Sequence, residues 1–291
     1  MGAVPELPEV EALAGFLRER LVGRVVAAVD VASVSALKTF DPPVTALGGL
    51  AVTGVSRHGK FLDVDVDGVH LVVHLARAGW VRWRERLPTS PIRPSGRNPL
   101  ALRLRLDDGS GIELTEAGTK KKLAVYVVRQ PGDVPGVQRL GPDPLAPAFD
   151  VAAFRAVVES HARTQLKGLL RDQSVLAGVG NAYSDEVLHV ARMSPFKLAG
   201  SLSAEEVVTL HEALVGTLRD AVARSSGLPA TELKDDKRAG MRVHGRTGQP
   251  CPECGDLVRE VSFADSSLQY CPTCQTGGRP LADRRTSKFL K

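Results

Sequence analysis

The sequence predicts an α+β protein: an N-terminal β-sandwich flanked by helices, a helical domain, and a terminal β-hairpin rich in cysteine. Three observations predict it. Residues 24–128 alternate apolar with polar side chains or run continuously apolar, as strands do. From Asp150 the apolar period becomes helical, and the chain's four cysteines all fall between positions 251 and 274. With 291 residues there is material for two domains, and 43% apolar content with only 4% aromatics assigns the cores to Val, Leu and Ala.

The first element opens at PELPEVEALAGFLRERL, where two prolines within four residues exclude a helix running through Leu7. Pro8 suits a first helical position, with Glu9 and Glu11 in the positive first turn and Val10, Leu13, Ala14, Leu17 and Leu21 at helical spacing. The helix leaves Pro5 and Glu6 unexplained. Strands follow in VVAAVDV, LAVTGVSRHGKFLDVDVDG, VHLVVHLARAGWVRW, LALRLRLDDGSGIEL and KLAVYVV, punctuated by Asp-Gly and Gly/Pro turns. LRLRLDDGSGIEL reads as a hairpin.

A stretch rich in Pro and Gly, 130–149, reads as the linker between residues 1–129 and a helical domain at 150–240. Asp150 is placed as an N-cap for VAAFRAVVES, and QLKGLLRD, NAYSDEVLHVA and SAEEVVTLHEALVGTLRDAVARSS continue the helical period. GVGN, between two of these, is too Gly-rich to continue a helix. It predicts a tight turn before a new helix N-terminus, either a phosphate-binding turn or an ordinary helix–helix loop.

Cys251 and Cys254, sixteen intervening residues, then Cys271 and Cys274 form two CxxC knuckles. That spacing, over residues 241–276, predicts one tetrahedral zinc ion, structural because every coordination position is taken by thiolate. The N-terminus lacks the basic-then-apolar pattern of a signal peptide, which weighs against two disulfides and predicts a cytoplasmic protein. No apolar run reaches the roughly eighteen residues that a membrane span needs. The tail, 277–291, carries five basic residues and one acid from Arg279 onward, either a phosphate contact or a solvated end. The net charge of +5 points mildly to a polyanionic partner.

PELPEVE, SRHGKFL with Lys60, GVGNAYSDE with Asn181, and VHGRTGQPCPECG running into the cysteine hairpin stand in this order along nearly the whole chain. In this the chain resembles the formamidopyrimidine-DNA glycosylase / endonuclease VIII family of DNA-repair enzymes. The resemblance implies a β-sandwich, a helix–two-turn–helix domain and a zinc finger, with double-stranded DNA bearing damaged bases or abasic sites held between the halves. It implies a monomer associated with the nucleoid.

The resemblance also gives the first residues a chemical role. In this family an N-terminal proline attacks C1′ of the damaged nucleotide and expels the base as an iminium forms, after which β-elimination cuts the strand. An α-amine with a pKa of about 8 is unprotonated often enough at neutral pH to do this. The resemblance thus implies Pro5 as nucleophile, Glu6 as general acid/base toward the sugar, and Lys60 as second proton donor and phosphate contact. Asn181, and with it Lys167, would grip phosphates flanking a flipped-out nucleotide.

Four departures shape the expectation. Pro5 follows Met1-Gly2-Ala3-Val4, and a proline acylated by Val4 is a tertiary amide with no nucleophilic lone pair. The reading expects initiation at position four, from a GUG codon, with the initiating methionine trimmed. The methionine and the Arg/Phe wedge that fill the DNA void in the formamidopyrimidine branch are replaced by Arg77 and by EAGTKKK, whose Lys120 and Lys121 either hold phosphates or solvate a loop. Ser266 stands where an arginine supports δ-elimination, so mainly β-product is expected. LKDDKRAGMRVHGR is shorter than the loop that closes over 8-oxoguanine, which sets oxidised pyrimidines and abasic sites beside ring-opened purines as substrates. The competing expectation is a zinc-containing damaged-DNA-binding protein of the same fold without the chemistry.

Overall fold

A computed structural model describes residues 4–90, 92, 99–263 and 266–282. The chain divides into two compact units, residues 1–140 with 224–236, and residues 141–223 with 237–291.

The first unit opens with α1 (Leu7–Leu21), capped at Glu6, and Pro8 lies in its first turn. The helix therefore begins one residue before Pro8. Proline is tolerated there because first-turn amides have no helical acceptor. Val10, Leu13, Ala14, Leu17 and Leu21 are all fully buried, each contributing about 1.5–3 kcal/mol where the side chain is large.

Eight strands follow: β1 (Val26–Val31), β2 (Val52–His58), β3 (Phe61–Val66), β4 (Val69–His74), β5 (Gly79–Arg84), β6 (Leu100–Leu106), β7 (Gly111–Glu116) and β8 (Ala124–Val128). They make two four-stranded antiparallel sheets, ordered β1-β6-β7-β5 and β2-β3-β4-β8. Alternation decides which side chains meet. Leu62, Val64 and Val66 of β3 join Leu102 and Leu104 of β6 and Val10, Leu13 and Leu17 of α1 in one core shared by both sheets. Phe61, on the other face of β3, packs with Val72, Val128, Val134 and Val137. The predicted hairpin is the β6–β7 pair, with Leu104 opposite Ile112.

Two segments differ from their sequence reading. Residues 130–149 do not form a bare linker: they hold a 3₁₀ turn (Pro131–Asp133) and α2 (Pro135–Gln138), and Val134 is fully buried. Residues 224–236, read as helical-domain sequence, belong to the first unit. Ala230 and Leu233 enter its core, and the Trp80 indole N–H donates to Ala230 O at 2.9 Å.

The second unit contains α3 (Val151–Ser160), α4 (Leu166–Arg171), α5 (Asn181–Val190), β9 (Arg259–Ser262), β10 (Ser267–Tyr270) and α8 (Pro272–Thr276). The long α6 (Ala204–Ser225) and the short α7 (Leu233–Ala239) each cross the division between units. Asp150 caps α3 by accepting from Ala153 N at 2.8 Å, the role its position predicts. β9 and β10 pair as an antiparallel hairpin, Ser262 opposite Ser267. Among the described residues no helix is long and apolar enough to cross a membrane. Most of the basic tail, 283–291, lies outside the described residues.

Candidate functional site

Pro5 and Glu6 sit at the head of α1, both buried. Glu6 N–H donates to the Glu9 carboxylate at 2.8 Å, within a capping box that fixes the backbone of the dyad. Glu6 is 2% exposed, buried at its place as N-cap of the helix.

Lys60 was expected on a strand. It instead occupies the two-residue turn between β2 and β3, where Gly59 takes a positive φ of 55°. Arg57, missed in the sequence, ties this turn to α1: its Nε donates to Glu11 at 2.8 Å and its Nη1 to Gly59 O at 3.1 Å. Arg18 of α1 adds two bonds to Val55 O. The helix that carries the dyad and the turn that carries Lys60 are thus clamped together. Lys60 also shows itself electrostatically. The His74 imidazole is lowered to about 4, by burial first and by the Lys60 charge second.

Arg77 is exposed in the turn leading to β5, after Ala76 at φ 53°. Gly79 follows because a Cβ there would lie 2.2 Å from Leu75 O. Lys120 and Lys121 are exposed on a loop anchored by Glu116, whose carboxylate accepts from Lys122 N at 2.6 Å and Leu123 N at 2.9 Å. The Lys121 ammonium donates to Glu116 O.

In the second unit, Gln173 braces the glycine turn by donating to Val179 O at 2.7 Å and accepting from Gly178 N at 3.0 Å. Asn181, the first residue of α5, donates from Nδ2 to Ser267 O at 2.8 Å, and its buried Oδ1 has no partner among the described residues.

Lys167, expected to grip phosphate beside Asn181, is 5% exposed and turned inward. Its ammonium donates to Asp185 Oδ1 at 2.6 Å, Ser184 Oγ at 2.8 Å and Asn181 O at 3.1 Å. A buried ammonium is held where it finds a counter-charge, and Asp185 supplies one. Lys167 therefore positions Asn181 rather than facing solvent. Asp185 Oδ2 accepts from His244 Nδ1 at 2.8 Å and Gln269 N at 3.2 Å, while Glu186 accepts from the amides of Arg242, Val243 and His244. Burial, helped by the Asp185 charge, pushes the Glu186 carboxyl up against these three bonds.

The sulfurs of Cys251, Cys254, Cys271 and Cys274 all lie within 4.8 Å of one another, with Cys251–Cys274 at 3.9 Å and Cys254–Cys271 at 3.4 Å. A tetrahedral zinc with bonds of about 2.3 Å requires sulfurs about 3.8 Å apart, so the donor set fits. None of the four forms a disulfide. Burial pushes the Cys271 thiol up to about 11 and Cys274 higher still, so holding these two as thiolates calls for a cation.

Three family models match in succession: "Formamidopyrimidine-DNA glycosylase N-terminal domain" over residues 4–122, "Formamidopyrimidine-DNA glycosylase H2TH domain" over 140–231, and "Zinc finger found in FPG and IleRS" over 248–277. With the four-thiolate geometry, the last identifies the centre as one structural zinc. An uncharacterized formamidopyrimidine-DNA glycosylase-like protein of Mycobacterium tuberculosis is 56% identical over 157 residues, 54% of this chain and 98% of that protein. A formamidopyrimidine-DNA glycosylase of Geobacillus kaustophilus is 33% identical over 282 residues, covering 94% of this chain and all of that one. Among solved structures, Lactococcus lactis Fpg in complex with abasic-site DNA superposes with a TM-score of 0.81 at 25% identity, over 93% of this chain and 99% of that one.

Proposed function

Because the chain belongs to the formamidopyrimidine-DNA glycosylase / endonuclease VIII family, we propose that it excises oxidised or ring-opened bases from double-stranded DNA and nicks the strand mainly by β-elimination. The observation that carries this reading is the construction around the dyad: Pro5 and Glu6 buried at a capped helix head, with the Lys60 turn held to the same helix through Arg57 and Glu11.

The chemistry follows from those groups. The secondary amine of Pro5, once free of Val4, attacks C1′ as the C1′–N bond to the base breaks; the electron pair leaves with the base, and the proton that the Pro5 nitrogen sheds balances the one the departing base takes up. Glu6 protonates the ring oxygen as the sugar opens, which leaves an iminium between Pro5 and C1′. The iminium acidifies the 2′ protons. Loss of one of them expels the 3′ phosphate, and hydrolysis then frees the enzyme. Lys60 supplies a cation to the phosphate and a proton. Asn181, Arg77, Lys120 and Lys121 serve the DNA backbone, and Lys167 serves Asn181 from behind. Such a protein acts as a monomer on the nucleoid in the cytoplasm.

Borohydride trapping on an abasic-site duplex tests this, comparing chain that starts at Pro5 with the 291-residue form. The shorter form is expected to give a covalent adduct and the longer form none. If neither traps while both bind the duplex, the chemistry is absent and the protein is a binder of damaged DNA.

A further inference from the structure

His189 lies two turns along α5 from Asn181 and is 1% exposed. Its Nε2 is 3.2 Å from Cys251 Sγ, within hydrogen-bonding distance for sulfur, and its Nδ1 is buried with no partner among the described residues. A ring with one proton has two choices. With the proton on Nδ1, a donor would be buried unpaired and a lone pair would face the lone pairs of sulfur. With the proton on Nε2, the sulfur gains a donor and only a bare acceptor is left at Nδ1. The second arrangement is better on both counts.

We infer that His189 is a positioning residue of the zinc centre, donating Nε2–H to the Cys251 thiolate from outside the zinc hairpin. Four thiolates around a divalent cation leave a net charge of about −2, which N–H donors to sulfur offset. His189 adds a side-chain donor, and it does so from the helix that begins at Asn181. Positions 181, 185 and 189 share one face of α5. Each holds a different part of the zinc module: Asn181 the carbonyl of Ser267, Asp185 the amide of Gln269, and His189 the sulfur of Cys251. Zinc occupancy and the placement of Asn181 are therefore coupled through one helix face.

The test uses zinc-loaded full-length protein. Replacing His189 by Phe keeps a ring of similar size and removes the donor; zinc transfer to a competing chelator should become about 10- to 100-fold easier. His189→Gln, which retains an N–H at similar reach, should recover part of the loss. Nitrogen-15 NMR of the wild-type imidazole should show the proton on Nε2. A folded H189F protein that holds zinc as tightly as wild type overturns the inference, as does a proton found on Nδ1. If H189F does not fold, the imidazole spectrum of the wild type decides alone.

Discussion

His74 offers the sharpest check on the surroundings of Lys60. It ends β4, directly opposite Phe61, and the two rings are 4.7 Å apart. Burial, and then the Lys60 charge, lower its pKa from 6.5 to about 4. Between those values the unfolded chain binds a proton there that the folded chain refuses. Stability from this group is thus fully present above pH 6.5 and is lost as the pH falls toward 4. A difference of about 2.5 units at 1.36 kcal/mol each gives about 3 kcal/mol across the window. His74→Phe keeps the ring packing and removes the titration. Urea unfolding at pH 7 and pH 4.5 should show the wild type losing about 2–3 kcal/mol more than the variant on acidification. Lys60→Met should raise the NMR-observed His74 pKa while leaving it below 6.5, because burial is the larger cause. A His74 that titrates near 6.5 in the folded wild type, or an equal acid sensitivity in wild type and H74F, refutes the reasoning.

Four further outcomes are expected. Asp185→Asn strands the buried Lys167 ammonium and should cost about 3–5 kcal/mol in urea unfolding; unchanged stability would show that Lys167 turns outward. Arg57→Ala frees the Lys60 turn from Glu11, and it should slow borohydride trapping while costing about 1–3 kcal/mol of stability. Ser266→Arg should add δ-elimination product to the β-product on a sequencing gel, and a product pattern identical to wild type would remove Ser266 as the cause. Metal analysis should return one zinc per chain. Stripping it should collapse the NMR signals of Tyr270 and the β9–β10 hairpin, since so small a core of Val261, Leu268 and Tyr270 cannot order the hairpin alone.

Much of the architecture was legible because strand and helix periods are written into single residues. Alternation in FLDVDV gives the two faces of β3, and the spacing of Leu13, Leu17 and Leu21 gives the buried stripe of α1. The cysteine spacing gave the metal centre directly. Where the structure adds what the sequence does not show, the deciding partner is distant. Residues 224–236 read as a helical-domain segment because their contacts with Trp80, about 150 positions earlier, leave no local trace. The family resemblance places Lys167 beside Asn181 as a phosphate contact; the pairing with Asp185, 18 residues on, turns it inward.

The buried polar ridge of α5 shows what could have been seen. NAYSDEVLH places Asn181, Asp185 and His189 four residues apart, and Glu186 beside them, in a helix whose other side chains, Ser184 aside, are mostly apolar. A polar stripe on a surface helix is ordinarily the solvated side, so periodicity alone does not distinguish it from one that docks another element. The two cases separate on chemistry. A solvated stripe tolerates long flexible charges such as Lys and Arg, whereas a buried one needs short groups with fixed valence that can meet backbone amides and carbonyls one for one. Asn181, Asp185, Glu186 and His189 are of that second kind, and each has a bond to the 241–271 segment in the structure. The helix is thus specified twice, by its apolar face for packing and by its polar face for the zinc module.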